Sequence, residues 1–432
     1  MRFGRLNLPS FSPCKDITDQ PILKTGTARL AWQLFTQKLT LAGRWFALPT
    51  GMMASYGAMN MFHQGYVVFC YLFAPWVLAA FGMMLLRPRV KLWAEYAPRA
   101  CAGETLPVDV EVEQLGRMAQ IELFVLPHKL PNAVDSQPDD GVALPTLRRG
   151  QRAKVRIGLK CNKRGIYKLH GFRVESGFPF GLLRAARTIA SEEALIVYPR
   201  FKPLGRMELP VGMKHHPGGV LLASQLGESF EFIGNREYRD GDNIRDIDWR
   251  ATARLNRPIV REYREEYFMR VGVILDTHVP RKSSAGEHDA FERAVSVIAS
   301  VADYMARQDY IVDLFAAGPN LYHLTAGRSL AYLDQILDIL AAVDENPVEP
   351  FATIEPQLMS NLAQITTVIC VFLDWTDSRR AFVRNIAAMG CGVRVILVRD
   401  TDCTVDPGGD ADVLGVIPMV TKAHFETGLE QL

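Results

Sequence analysis

Val271-Gly272-Val273-Ile274-Leu275-Asp276 is a short apolar run that ends in an acid, and its reading sets the second half of the chain. Apolar residues in succession, without polar alternation, describe a strand buried on both faces. A helix pattern follows, with Phe291, Ala294, Val295, Ile298, Val301 and Met305 on one face. Tyr310 to Phe315 then reads as a strand and Ser329 to Val343 as a helix. Thr367 to Asp374 is a strand ending again in Asp, Ser378 to Met389 a helix, and Val393 to Val398 a strand. This alternation predicts a parallel sheet wrapped by helices over residues 266–432, an α/β, Rossmann-like domain. Ligands of such sheets sit beyond the carboxyl ends of the strands, where Asp276 and Asp374 fall.

Immediately upstream the character changes. Arg236 to Glu266 holds eight Arg and eight Asp or Glu in 31 residues, and no Lys. Planar guanidinium forks pair with carboxylates in fixed geometry, so an all-Arg set predicts an ordered ion-pair network. Within it lies Tyr238-Arg239-Asp240-Gly241-Asp242-Asn243-Ile244-Arg245-Asp246-Ile247-Asp248-Trp249, where Asp-Gly marks a tight turn. Residues 206–265 are read as a separate signature segment. His215-His216 beside Pro217-Gly218-Gly219 reads as linker rather than metal site.

Residues 90–205 read as strands. Val108 to Val112 and Lys154 to Ile157 alternate, and Ile121 to Val125 is a further candidate. Prolines at 127, 131, 138 and 145, with Asp139-Asp140-Gly141, mark a long loop. The pattern predicts a small β-sandwich. Before it, Phe46 to Leu86 carries no Asp, Glu, Lys or Arg in 41 residues. A bilayer-spanning helix needs about 20 apolar residues, so residues 45–86 predict a two-helix transmembrane hairpin turning near Asn60 to Gly65. A small-residue face at Gly51, Ser55, Gly57 and Ala58 is expected to bring its helices together. Both flanks are basic: Arg2, Arg5, Lys15, Lys24, Arg29, Lys38 and Arg44 precede it, and Arg87, Arg89 and Lys91 follow. The positive-inside rule puts both ends in the cytoplasm, which predicts a multi-pass protein of the inner, cytoplasmic membrane. The apolar run starts too late for a cleavable signal peptide. Residues 1–44 are a basic cytoplasmic lead, in which Leu30, Trp32, Leu34, Phe35 and Leu41 suit an interfacial helix.

At 432 residues the chain holds two or three domains, and its net charge of +2 gives no bulk case for nucleic acid. Seven cysteines stand apart, without a Cys-x-x-Cys pair, which fits free thiols. No P-loop, His-Glu-x-x-His or Gly-x-Ser-x-Gly is present, and no catalytic residue or small-molecule substrate is assigned.

Two blocks carry a family resemblance. Gly227-Glu228-Ser229-Phe230-Glu231-Phe232, Arg236 to Asp242, Arg245-Asp246-Ile247-Asp248-Trp249 and Ala253-Arg254 resemble the core signature of the bacterial domain-of-unknown-function fifty-eight family. Lys163-Arg164-Gly165-Ile166-Tyr167 and Glu175 to Leu182 resemble its second motif. The resemblance implies a membrane-anchored protein with a von Willebrand factor A-like domain. It also implies a MoxR-type AAA+ ATPase as partner, together with other membrane or envelope proteins, in assembly or activation of protein complexes. The residues taken as signature and interaction positions are Arg236, Tyr238, Asp240, Gly241, Asp242, Arg245, Asp248, Trp249 and Arg254.

The two strand-end aspartates also resemble the von Willebrand A fold, which often holds Mg²⁺ through Asp-x-Ser-x-Ser, a Thr and a later Asp. Here the first motif reads Asp276-Thr277-His278-Val279-Pro280, with both hydroxyl positions replaced. Mg²⁺ demands near-octahedral oxygen ligands, so Asp276, Thr325 and Asp374 form a degenerate site at best. The expected function is therefore an interaction protein without a cofactor. The alternative is an enzyme or metal-dependent binding protein using the acids from Asp240 to Asp248, or Asp276 and Asp374.

Overall fold

In the computed structural model the described residues are 38–60, 63–189, 192–210, 232–239, 242, 244–263, 270–308, 310–317, 321–326, 330–362, 364–410 and 414–428. The interfacial-helix residues Leu30 to Phe35, the His215-His216 pair, and Asp240 and Gly241 of the signature lie outside them. The chain is a mixed α/β protein with several sheets, in two compact units divided between Arg200 and Phe201.

The first unit begins with helices α1 (Leu41–Asn60) and α2 (His63–Leu85). Among the described residues one helix is long and apolar enough to cross a membrane, Gln64–Leu85, with a mean hydropathy of 2.0. This is coarser than the two spans expected. α1 has the length, but Pro49, Thr50, Gly51, Ser55, Gly57 and Asn60 dilute its hydrophobicity. The two helices touch where Trp76 Nε1 donates to Thr50 Oγ1 (3.4 Å) and where Phe46 meets the Trp76 ring. The expected small-residue face does not form as a set. Gly57 is buried near Tyr66, whereas Gly51, Ser55 and Ala58 are exposed.

Among the described residues eleven strands follow: β1 (Val90–Glu95), β2 (Arg99–Cys101), β3 (Thr105–Gln114), β4 (Leu123–Pro127), β5 (Val134–Gln137), β6 (Val142–Leu144), β7 (Arg152–Cys161), β8 (Gly165–Leu169), β9 (Phe172–Ser176), β10 (Ala185–Ile189) and β11 (Glu193–Tyr198). They form sheets ordered β1-β3-β7-β5, β10-β9-β4-β6 and β2-β11-β8. Strict alternation in β3 puts Leu106, Val108, Val110 and Val112 inward. These join Val125, Ile157, Leu159, Val174 and Val197 from other strands in one core. Outward, Asp109 lies across from Arg156 and accepts from its Nε at 2.7 Å. The loop after β9 has a structural role here. The backbone carbonyls of Gly181 and Leu182 accept from Thr40, and a Cβ on Gly82 of α2 would stand 2.6 Å from Pro179 Cδ. Only glycine lets the helix approach this loop so closely.

In the second unit, β12 (Phe232–Glu237) pairs antiparallel with β13 (Ile259–Tyr263), and the short helix α3 (Trp249–Leu255) lies between them in sequence. The main body alternates β14 (Arg270–Leu275), α4 (Ala285–Arg307), β15 (Ile311–Ala317), β16 (Leu321–Ala326), α5 (Leu330–Ala342), α6 (Phe351–Asn361), β17 (Thr367–Phe372), α7 (Asp377–Ala388), β18 (Gly392–Val398), β19 (Met419–Val420) and α8 (Lys422–Thr427). Its sheet runs β16-β15-β14-β17-β18-β19, parallel except for the antiparallel β15–β16 pair. Counted within the sheet, this is the doubly wound order 3-2-1-4-5-6, whose direction reverses between β14 and β17. β17 is buried along its whole length, as a central parallel strand must be. α4 starts with a capping box between Ser284 and Glu287 and buries Phe291, Val295, Ile298, Val301 and Met305.

Candidate functional site

The reversal between β14 and β17 is where an open α/β sheet leaves a crevice for ligands, and Asp276 stands there, one residue beyond β14. It is fully buried. Its Oδ2 accepts from Arg379 Nε (2.8 Å), from Arg379 Nη2 (2.7 Å) and from the Leu373 amide (3.2 Å). Its Oδ1 accepts from the His278 amide at 3.0 Å. Arg379 comes from the first turn of α7, and its side chain is 3% exposed. Nη1 donates to Thr376 Oγ1 (3.0 Å), and the guanidinium carbon lies 5.4 Å from the Phe351 ring centre. A cation at a helix N-terminus opposes the helix dipole. Its carboxylate partner offsets that, so the placement of Arg379 depends on Asp276. The chain's own guanidinium thus lies against the carboxylate.

Asp374 stands two residues beyond β17, the strand that neighbours β14. Burial pushes its carboxyl up, but the Thr404 hydroxyl and amide, the Arg399 guanidinium and the Trp375 amide outweigh this and hold it below the usual range. Thr404 Oγ1 donates to Oδ2 at 2.6 Å, and Arg399 Nη1 lies 2.9 Å from the same oxygen. Thr325 is not brought to this place. Its backbone pairs with Asp313, which pairs with Gly272, four residues before Asp276 and two strands away. Strand spacing and rise put it roughly 15 Å from Asp276. Its side chain lies outside the described residues. Among the described residues no group of three or more His, Cys, Asp or Glu is arranged to hold a metal. The Asp276 and Asp374 oxygens already accept from arginines, amides and a hydroxyl, and this donor set does not fit Mg²⁺.

The same chemistry is repeated in the signature. Arg236 forks onto Asp242, Nη1 to Oδ2 at 2.7 Å and Nη2 to Oδ1 at 2.8 Å. The Arg239 amide adds a third bond at 2.8 Å. The Arg236 guanidinium and this amide hold the Asp242 carboxyl down at about 2. Asp248 is the N-cap of α3, its Oδ1 accepting from the amides of Ala251 (3.0 Å) and Arg250 (3.1 Å), while Oδ2 faces Arg261. These bonds hold its carboxyl below the usual range, the Ala251 amide foremost. The Tyr238 amide donates to Pro258 O at 3.0 Å, tying the segment to the approach to β13. Arg245, Trp249 and Arg254 are exposed.

Three features have no local signal in the sequence. Arg379 is 103 positions from its partner. Asp410, almost fully buried, accepts from Arg380 Nε (2.8 Å), Arg384 Nη2 (2.7 Å) and Trp375 Nε1 (3.3 Å). Ser283 Oγ lies 3.0 Å from His288 Nε2, whose Nδ1 lies 2.6 Å from Glu345. That last chain has the order of a hydrolytic triad. It also joins the residue before the N-cap of α4 to the fourth helical residue, the contact that sets the direction of a helix start. The adjacent capping box and the half-exposed His288 ring assign it to that structural job.

Residues 234–407 match the family model described as "Protein of unknown function DUF58". A Bacillus subtilis (strain 168) protein, described as uncharacterized protein YeaD, is 28% identical over 284 residues. The match covers 62% of this chain and 65% of the relative, just under two thirds of the relative's length. The matched stretch holds the Arg–Asp signature and both switch-point aspartates, and in this stretch the chain is similar to the DUF58 family.

Proposed function

We propose that this chain is a membrane-anchored adaptor whose cytoplasmic α/β domain receives protein partners. The observation that carries this reading is the engagement of Asp276 by Arg379. The place where a doubly wound sheet usually offers ligand groups is closed by an internal ion pair, so recognition falls to shape and surface charge. The strand order with its antiparallel edge strand supports a von Willebrand A-like domain. Two membrane spans with both ends inside are supported by the 41 uncharged residues and the basic flanks. The exposed apolar stripe of Leu41, Trp45, Leu48, Met52 and Tyr56 on α1 adds to that support. Reporter fusions after residues 44, 64 and 90 should report inside, outside and inside.

The family resemblance supplies the partner, a MoxR-type AAA+ ATPase that would hydrolyse ATP while this chain holds the client at the membrane. Purification of the full chain from detergent-solubilised membranes should bring that ATPase with it in stoichiometric amount. Recovery of the chain without the ATPase, from cells that contain both, would refute the partnership.

A further inference from the structure

Seven large apolar side chains are exposed among the described residues of the second unit, and Ile244, Trp249 and Leu255 fall within twelve positions. Trp249 is 66% exposed and Ile244 68%. Neither is on a loose segment. α3 is anchored at its start by the Asp248 cap, and the Asp248 amide donates to Ile259 O at 2.8 Å. The Ile259 amide in turn donates to Thr252 Oγ1 at 3.0 Å. Ala251 faces inward and is buried. At 100° per residue the outward side then carries Trp249 and Ala253 as one ridge and Arg250 and Arg254 as the next. All four are exposed. Like charges four apart destabilise a helix, so the arrangement is unfavourable for α3 on its own.

The outward face of α3 carries Arg250 and Arg254, both exposed. Asp248 is engaged by the helix start and Arg261. Nearby, Asp242 is engaged by Arg236 and Glu237 by Arg257. We propose that the outward face of α3, with the preceding Ile244 turn, is the docking surface for an acidic protein partner. The partner's carboxylates pair with Arg250 and Arg254, and an apolar socket takes the Trp249 indole beside the small Ala253. This rests on the adaptor reading and locates its contact. Trp and Arg dominate the energetic centres of protein interfaces, where Lys is depleted. A lipid-directed basic patch draws on Lys as readily as Arg, and residues 236–266 contain none.

The test uses the full chain in zwitterionic nanodiscs and the purified MoxR-type ATPase of the same genome, with binding read by interferometry. Trp249→Ala and Arg250→Glu/Arg254→Glu should each weaken binding at least tenfold, and added salt should weaken the wild type. Val416→Ala, at another exposed apolar position, should change nothing. Melting curves confirm that the variants are folded. Wild-type binding that both variants retain overturns the docking surface and leaves the adaptor reading intact. If the wild type does not bind, that ATPase partnership fails, and a photo-crosslinking benzoylphenylalanine at position 249 in cells decides the surface. An adduct to an Asp/Glu-rich protein segment, lost on Arg250→Glu, keeps it. A lipid adduct, no adduct, or one indifferent to charge reversal overturns it.

Discussion

Asp276–Arg379 and Asp242–Arg236 are the same pair of residue types at similar distances, placed in opposite surroundings. The first is closed off, with side-chain exposures of 0% and 3%; the second is at 17% and 33%. Breaking a buried pair strands a charge in low dielectric, whereas water solvates an exposed one. Geometry alone therefore does not tell what an Arg–Asp pair contributes. The buried pair fixes how α7 crosses the strand ends, and the partly buried pair lies nearer the surface.

Asp276→Ala should destabilise the second unit by about 3–5 kcal/mol, because Arg379 is left buried and unpaired. Calorimetric unfolding of the full chain in detergent measures it, and Asp276→Ala/Arg379→Met should recover part of the loss. A transition for Asp276→Ala no lower than that of Asp242→Ala would abolish the contrast. Next comes Thr404→Val, which removes one hydroxyl bond to Asp374 and should cost about 1 kcal/mol. The depressed carboxyl of Asp374 means that its stabilisation is complete above the ordinary carboxylate pKa and disappears as pH falls through its lowered value. The Thr404→Val deficit should therefore narrow in acid.

Asp242 belongs to the partly buried pair. Its folded value is about 2, against roughly 3.9 for an unpaired Asp. Its contribution is full above roughly pH 4 and fades toward pH 2. Unfolding curves of wild type and Asp242→Asn should differ slightly at neutral pH and converge near pH 2. A gap that persists there would mean that the ion pair is not its source. Smallest of all, Trp249→Ala should leave the melting temperature unchanged, since the indole contacts mainly solvent.

Legibility followed burial and locality. β14, β17 and β18 were readable because strands covered on both faces become continuous apolar runs. α4 was readable from its apolar stripe. β16 was not, being a six-residue edge strand, Leu-Tyr-His-Leu-Thr-Ala, without a sustained period. α6 was hidden by Pro356 inside it and Pro350 at its start. At the site, Asp276 and Asp374 were visible as strand-end acids. Their partners Arg379 and Arg399 were not, because pairing across a sheet is set by topology and leaves no local pattern. The Arg-only composition of the signature pointed to fixed forks; Arg236–Asp242 is one, whereas Arg250 and Arg254 are exposed.

The Asp276 charge is answered by Arg379, which leaves no uncompensated carboxylate beyond β14 to draw a cation. Calorimetric titration of the full chain with Mg²⁺ or Mn²⁺ tests it most directly. No saturable heat is expected from the wild type. Saturable binding that disappears in Asp276→Asn would contradict the claim and restore a metal to the switch point.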